Sequence, residues 1–523
     1  MDWLLQKLDI ALLTPLRSIK KRYIPLLLIY FAYGASAISS VALTFWEKEG
    51  LSLSAEQLTA ISVWAFMPWT LKMVFGQLVD HLPILGNKRQ SYIYIGVFFV
   101  ALGAVLLAGL AGQHDWIMWV GNEYWIYLMS SVFTAAGFVI QDVTADTMTT
   151  EVVDRTELKN GKISLRDEKS VQADLAMVQV LGRLALSLAG FAVAGIGGYM
   201  AKNMAYETVF WVTLVLPLIA CGGAFFVRLD NTDSADESAN NTFDYKILFG
   251  GIGFAVFTIF MALNDIAYSQ EIVFGVSAVL LTFMFQWVTQ SLDPDKKKML
   301  VSVIMALFLY RLIPTIGPGI QWWVIDELGF DQTFFGWLGQ VGSLTALLVL
   351  WFFSDFITKR PVRQILLFLV VMDAIIALPE LFVYYGFHET LGLSAKTVFL
   401  FDTAIEDPLV NISMIPVLAT IAYFAPVGNR GTWFAIGASI MNLAITGKRL
   451  ITKYGNQIFE VTREVKDEAG NIITAADYSE LGYIMWFKMA FIVVIPTIGL
   501  VVLYWNDRYG AVRRKPLIKK NSN

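Results

Sequence analysis

Charge is scarce in this 523-residue chain: 16% of its residues are Asp, Glu, Lys or Arg, against 56% that are hydrophobic. A soluble domain carries about a quarter charged residues and alternates apolar with polar faces along each helix. Here the apolar runs continue for about 18 to 25 residues with no polar face, so lipid is the solvent that suits them. Cysteine is almost missing as well. Cys221 stands alone, which excludes an intramolecular disulfide. The three histidines, His81, His114 and His388, are scattered, and no HExxH, GxSxG, P-loop or CxxC motif occurs. An enzyme is therefore not expected, and no catalytic residue, metal or cofactor is assigned.

What is present is a long series of candidate membrane spans. Six lie between residues 24 and 228, and the polar stretch Asp230–Asp244 that follows reads as a flexible link. Eight more fall between 246 and 505, for a total of about fourteen. The expected organisation is a cytoplasmic amphipathic segment over 1–23, a six-helix bundle over 24–228, a linker with two inserted spans over 229–298, a second six-helix bundle over 299–505, and a basic cytoplasmic tail over 506–523. Lys and Arg concentrate at 17–22, 155–169, 296–298, 359–363 and in the tail, which places both termini in the cytoplasm. Lys448, Arg449 and Lys453 run against that rule, because the same topology puts them at the outer end of a span.

The loops repeat. Phe45 and Trp46 end one helix and the next carries Gly76, Asp80, Lys88 and Arg89; Gln321, Trp322 and Trp323 end a later helix and its successor carries Gly336, Asp355, Lys359 and Arg360. The repeat predicts two pseudo-symmetric halves, with an acid and a basic turn closing the second helix of each. Those turns suggest a cytoplasmic gate formed by Lys72, Asp80, Lys88, Arg89, Asp355, Lys359 and Arg360.

A charge at mid-bilayer costs about 2.5 kcal/mol or more, so Lys72, Arg183, Arg311 and Lys488, deep in apolar segments, each need a partner or a watered path. The intramembrane acids form two clusters, Asp142 with Asp146, and Asp402 with Glu406 and Asp407. Asp142 and Asp146 are four residues apart, as are Asp402 and Glu406, so each pair shares a helical face, where one carboxylate discourages ionisation of the other. These acids are candidates for proton coupling or gating; the plainer reading is that they form salt bridges with Arg183 or Arg311. Pro314, Gly317, Pro318 and Gly319 interrupt a span just after Arg311, and irregular backbone at that depth must be buried in protein or line a cavity. Gly182, Gly190, Gly195, Gly197 and Gly198 read as close helix packing. No loop exceeds about 25 residues, which leaves no room for an ATPase, so any transport must run on an ion gradient or on the substrate's own.

Three stretches resemble the folate–biopterin transporter family. One runs through Pro68, Trp69, Leu71, Lys72, Gly76, Asp80, His81, Pro83, Ile84, Gly86, Lys88, Arg89 and Tyr92, and a second through Gln141, Asp142, Val143, Asp146 and Glu151. The third runs from Phe401 and Asp402 through Pro416, Pro426, Gly428, Gly431, Thr432, Phe434, Ala435, Ser439 and Asn442 to Gly455. The resemblance implies an all-α major facilitator fold and proton-coupled uptake of a folate- or pterin-like organic anion across the cell membrane. Arg183, Arg311, Gln179, Trp322 and Asn442 are then the candidate substrate contacts, the guanidinium groups for an anionic tail and the indole for a flat ring. The alternatives are a muropeptide or other amphiphile permease of the same superfamily, and a membrane receptor or assembly factor with this fold and no flux.

Overall fold

The computed structural model describes residues 17–84, 89–154, 156–159, 162–229, 245–264, 266–290, 292–358, 362–406, 409, 430–466 and 471–507. Among these residues, nine helical stretches are long and apolar enough to cross a membrane: Ile24–Glu49, Ala55–Gly76, Gln90–Ala111, Glu123–Thr149, Val180–Asn203, Tyr206–Phe226, Ser269–Trp287, Val362–Tyr384 and Leu481–Trp505. The described parts of the other segments expected to span are largely helical. Phe249–Leu263 is apolar but shorter, Gln332–Thr358 and Arg430–Ile458 are long helices, and a helix over 395–406 reaches the edge of the described residues.

In chain order the N-terminal set comprises α1 (Ile24–Ala35), α2 (Ser40–Glu49), α3 (Ala55–Thr70), α4 (Lys72–His81), α5 (Gln90–Ala111), α6 (Glu123–Glu151), α7 (Glu168–Asn203), α8 (Tyr206–Val212) and α9 (Val215–Phe226). A pair follows, α10 (Tyr245–Leu263) and α11 (Ser269–Val288). The C-terminal set holds α12 (Pro294–Arg311), α13 (Gly319–Asp326), α14 (Gln332–Thr358), α15 (Val362–Tyr384), α16 (395–406), α17 (Arg430–Ile458) and α18 (Leu481–Asp507).

Local chemistry sets the starts and breaks. Ser54 opens α3 with a capping box, its hydroxyl accepting from the Gln57 amide at 3.2 Å while the Gln57 side chain accepts from the Ser54 amide at 2.9 Å. Asn122 opens α6 by accepting from the Trp125 amide at 3.0 Å. Pro68 lies near the end of α3, and the helix breaks at Leu71 before α4 begins with Lys72. The second break separates α12 from α13. Its freed backbone is taken up by α17: the Thr315 amide donates to the Thr452 hydroxyl at 3.0 Å, and the Asn456 amide nitrogen donates to the Ile316 carbonyl at 2.9 Å. This answers the requirement placed on 314–319 by the sequence, since these groups are buried in protein rather than left to lipid.

Two seams join the sets: α7 packs on α14, and α3 packs on α17. The first is close because it is lined by glycine. A Cβ added at Gly198 would meet the Gln332 carbonyl oxygen at 2.6 Å and the Gly336 Cα at 2.8 Å, which agrees with a packing role for this glycine. The pair α10–α11 lies against the second seam, with α10 on α4 and α11 on α17 and α3. There Lys453 pairs with Glu271 at 2.7 Å, Tyr454 donates to Glu271 at 2.7 Å, and Gln270 donates to the Ala60 carbonyl at 2.9 Å. Lys453, one of the cations that contradicted the charge rule, is thus paired with an acid of α11.

Two small hairpins, unforeseen in the sequence, interrupt the helical pattern. β1 (Thr156–Lys159) pairs with β2 (Lys162–Leu165) between α6 and α7. β3 (Val465–Lys466) pairs with β4 (Ile472–Thr474), and a bridge joins Thr462 to Asp477, so that the described residues 459–466 and 471–480 form a strap between α17 and α18.

Candidate functional site

Charged side chains gather in three places, the first two of which hold residues singled out by sequence. In the N-terminal set, the helical period brings Asp142 and Asp146 onto one face of α6, and the break at Leu71 delivers Lys72 to them. The Lys72 ammonium lies 2.5 Å from Asp142 and 3.4 Å from Asp146. Tyr30 of α1 donates to Asp146 at 2.9 Å. Arg183 of α7 has Asp146, Asp142, Tyr30 and Tyr33 as its electrostatic neighbours. Among the described residues its guanidinium takes no hydrogen bond or ion pair, and the side chain is exposed. Arg183 is thus an exposed arginine beside the two acids. Asp142 is sealed, at 8% exposed, whereas Asp146 keeps 32%. The site therefore holds one inaccessible carboxylate, one that water reaches, a shared lysine and an arginine with free donors.

The sequence points Lys72 to a gate, Arg183 to substrate and the aspartates to proton coupling; the fold brings all four side chains together. Tyr30 was missed, and no sequence signal marks it, since a tyrosine in an apolar helix is unremarkable until its partner is known.

The second place is in the C-terminal set. Lys488 of α18 pairs with Glu380 of α15 at 2.8 Å. Glu406 and Asp402 of α16 are electrostatic neighbours of this lysine. Lys448 of α17 faces Lys488, Glu406 and Asp373, and among the described residues its ammonium takes no hydrogen bond or ion pair. The Tyr310 hydroxyl of α12 reaches Asp373. Tyr30 and Tyr310, both buried, thus each link the first helix of a set to an acid of that set. Asp402 is buried, Glu406 is exposed, and Arg311 closes α12 half-buried beside Tyr310. Asp407 lies outside the described residues. Asp373, Glu380 and Lys448 belong to this cluster although they were not among the sequence candidates; the misfit of Lys448 with the charge rule was the signal that could have found it.

The third place is the end that carries the strap. Lys48 of α2 pairs with Asp326 of α13 at 2.5 Å, each side chain only 7% exposed. Asp326 also accepts from the Tyr478 hydroxyl at 2.5 Å and the Glu464 amide at 3.0 Å. Arg463 donates to the carbonyls of Glu47, at 2.9 Å, and Leu51, and lies 4.8 Å over the Trp322 ring. Phe45 meets Phe335 edge-on at 5.3 Å, and Lys202 pairs with Asp331 at 2.7 Å. Both ion pairs cross between the sets and tie them together at this end. Burial lowers the Arg463 guanidinium from its usual value, and burial together with the bond to Asp326 holds the Tyr478 phenol above its own. Trp322, taken from sequence as a substrate platform, is buried beneath Arg463 here.

The gate expected from the loop repeat is only partly visible. Arg89 binds Glu151 at 2.6 Å and donates to the Val79 carbonyl at 2.5 Å, both within the N-terminal set. Asp80 and Asp355 occur in α4 and α14 with side chains outside the described residues, as does the Gln179 side chain in α7. Lys88, Lys359 and Arg360 lie outside the described residues altogether. Asn442 of α17, a substrate candidate by sequence, donates to the Trp69 carbonyl at 2.8 Å. Among the described residues no group of three or more His, Cys, Asp or Glu could hold a metal ion.

Solved structures share this architecture. A POT family transporter in complex with a thioalcohol-conjugated peptide superposes with a TM-score of 0.60 at 11% identity, covering 94% of this chain and 99% of that one. The xylose transporter XylE of E. coli, inward open, gives 0.53 at 11%, covering 92% and 98%. The chain thus has an all-α membrane fold of the major facilitator type. In sequence it is 24% identical over 424 residues to a folate-biopterin transporter of Synechocystis, covering 80% of this chain and 71% of the relative. It is 25% identical over 441 residues to the probable folate-biopterin transporter 4 of Arabidopsis thaliana, covering 80% and 85%. The Plasmodium falciparum folate transporter 1 is 18% identical over 417 residues, covering 80% and 69%. Residues 34–510 match the BT1 family, and with nearly the whole length accounted for, the chain belongs to that folate–biopterin transporter family of multi-pass membrane proteins, which are transporters and not enzymes.

Proposed function

We propose that this protein is a proton-coupled secondary transporter of a folate- or pterin-like organic anion, with the Lys72–Asp142–Asp146–Arg183 site as its coupling centre. The observation that carries the reading is the free, exposed guanidinium of Arg183 beside two carboxylates that share one lysine. With all four groups charged, the site is neutral. Protonation of one carboxylate leaves one positive charge in excess, unfavourable where the dielectric is low. An anion at Arg183 removes that excess, so proton and anion each improve the other's binding. Asp146, which water reaches, is the proton acceptor; Asp142 holds Lys72. The family's folate and biopterin relatives support the substrate class, and a carboxylate tail suits the planar fork of arginine.

The layout that fits is a six-helix bundle over 24–228, the pair α10–α11 as an insert, and a second bundle over 299–505, in the cytoplasmic membrane with both termini inside. The strap end then faces outward and is closed, while Arg183 remains open to water, an inward-facing arrangement. In proteoliposomes, acid outside should drive accumulation of folic acid, and Asp146→Asn should abolish that drive while leaving substrate counterflow. No acid-stimulated uptake of any folate or pterin would falsify the reading, and uptake of muropeptides instead would redirect the substrate class.

A further inference from the structure

The break in the span formed by α3 and α4 is held from two sides. On one side the first residue after it, Lys72, goes to Asp142 and Asp146. On the other, α17 grips the segment before it at successive turns of one face: Arg449 donates to the Ser62 carbonyl at 3.4 Å and stacks 4.8 Å over Phe66, Phe66 stacks on Trp69, and Asn442 donates to the Trp69 carbonyl at 2.8 Å. The backbone ladder is interrupted between these two grips. The Leu71 amide turns back to the Pro68 carbonyl at 3.1 Å, and the Val74 amide takes the Leu71 carbonyl at 2.8 Å. A helix interrupted in this way bends at the interruption more readily than elsewhere.

We propose that Asn442 is a positioning residue that pins the Trp69 side of this hinge to the C-terminal set, so that movement of Lys72 in the acid site is passed to the seam between the sets. The inference rests on the acid site being the proton site. When a carboxylate is neutralised, Lys72 loses part of its attachment and α4 pivots at Leu71. Because Asn442 fixes Trp69, the pivot acts on α17 and with it on the C-terminal set; without that bond, α4 moves alone and the proton's binding energy does no work on the seam.

The test compares wild type with Asn442→Leu, and with Asn442→Ser in case the leucine variant fails to fold, as full-length protein in proteoliposomes with folic acid as the probe. Wild-type accumulation driven by external acid is read first, and its absence removes the coupling reading itself whatever Asn442 does. Where it is present, the variants should lose about tenfold in accumulation ratio, the scale of one hydrogen bond, while counterflow at equal pH stays within about twofold. Accumulation at the wild-type level overturns the proposal, and so does a fall in counterflow proportionate to the fall in accumulation, which would mark Asn442 as a substrate contact or a packing residue only.

Discussion

Lys72–Asp142 and Lys48–Asp326 are the same chemical pair at the same 2.5 Å separation, yet they differ in what they join. The first lies within the N-terminal set and survives any rigid movement of one set against the other. The second bridges the sets and has to break whenever the strap end opens. A buried pair inside a rigid unit can tune binding, whereas one across a seam sets the balance between conformations.

The largest effect should come from breaking the inner pair. Asp142→Asn strands Lys72, and removing one partner of a buried pair costs about 3 to 5 kcal/mol. Acid-driven uptake should vanish and the melting temperature in detergent should fall; an unchanged melting curve would mean that Asp146 alone suffices to hold the lysine. Breaking the bridging pair strands Lys48, which is also buried, and because the pair crosses the seam its cost should appear as a shift of populations toward an open strap end as well as a fall in stability. Asp326→Asn in a Cys221→Ser, Leu51→Cys background should speed maleimide labelling of position 51 about tenfold, since Leu51 is buried and its carbonyl is held by Arg463. Equal labelling rates would show that the strap stays down without the ion pair.

Arg183 sharpens the contrast from the substrate side. Arg183→Lys keeps the charge but loses the two-pronged donor, so apparent affinity for folic acid should weaken by about tenfold while Asp146-dependent proton drive persists. A parallel loss of drive would make Arg183 part of the proton site alone.

The smallest effect belongs to Lys202–Asp331, the exposed pair at the strap end. The hydrogen bond from Lys202 holds Asp331 below the ordinary carboxylate range. Its stabilisation is therefore complete above the unfolded carboxylate value of about 4 and fades as pH falls through the lower folded value. With both side chains more than a third exposed, solvent screening keeps the contribution under about 1 kcal/mol. The melting difference between wild type and Asp331→Asn should be small at pH 7 and smaller still at pH 3; a difference that grows on acidification has the wrong sign.

Much of this molecule is readable without coordinates because the governing terms are local. Burial of about 20 apolar residues marks a span, and four-residue spacing put Asp142 and Asp146 on a common face. The break after Arg311 followed from proline and glycine alone. The strap was not readable, because the Val465–Lys466 and Ile472–Thr474 strands are too short to leave a pattern and their purpose depends on Glu47, Leu51 and Asp326, distant in the chain.

Sequence by itself determined the solvent, the helical class and the inventory of intramembrane charges, since hydropathy and helical period are properties of neighbouring residues. Tertiary structure alone decided which groups meet: Lys72 with Asp142 and Asp146, Lys453 with Glu271, Trp322 under Arg463, Asn442 on Trp69. Ion pairing and hydrogen bonding act over a few ångströms between groups whose separation along the chain carries no information about their separation in space.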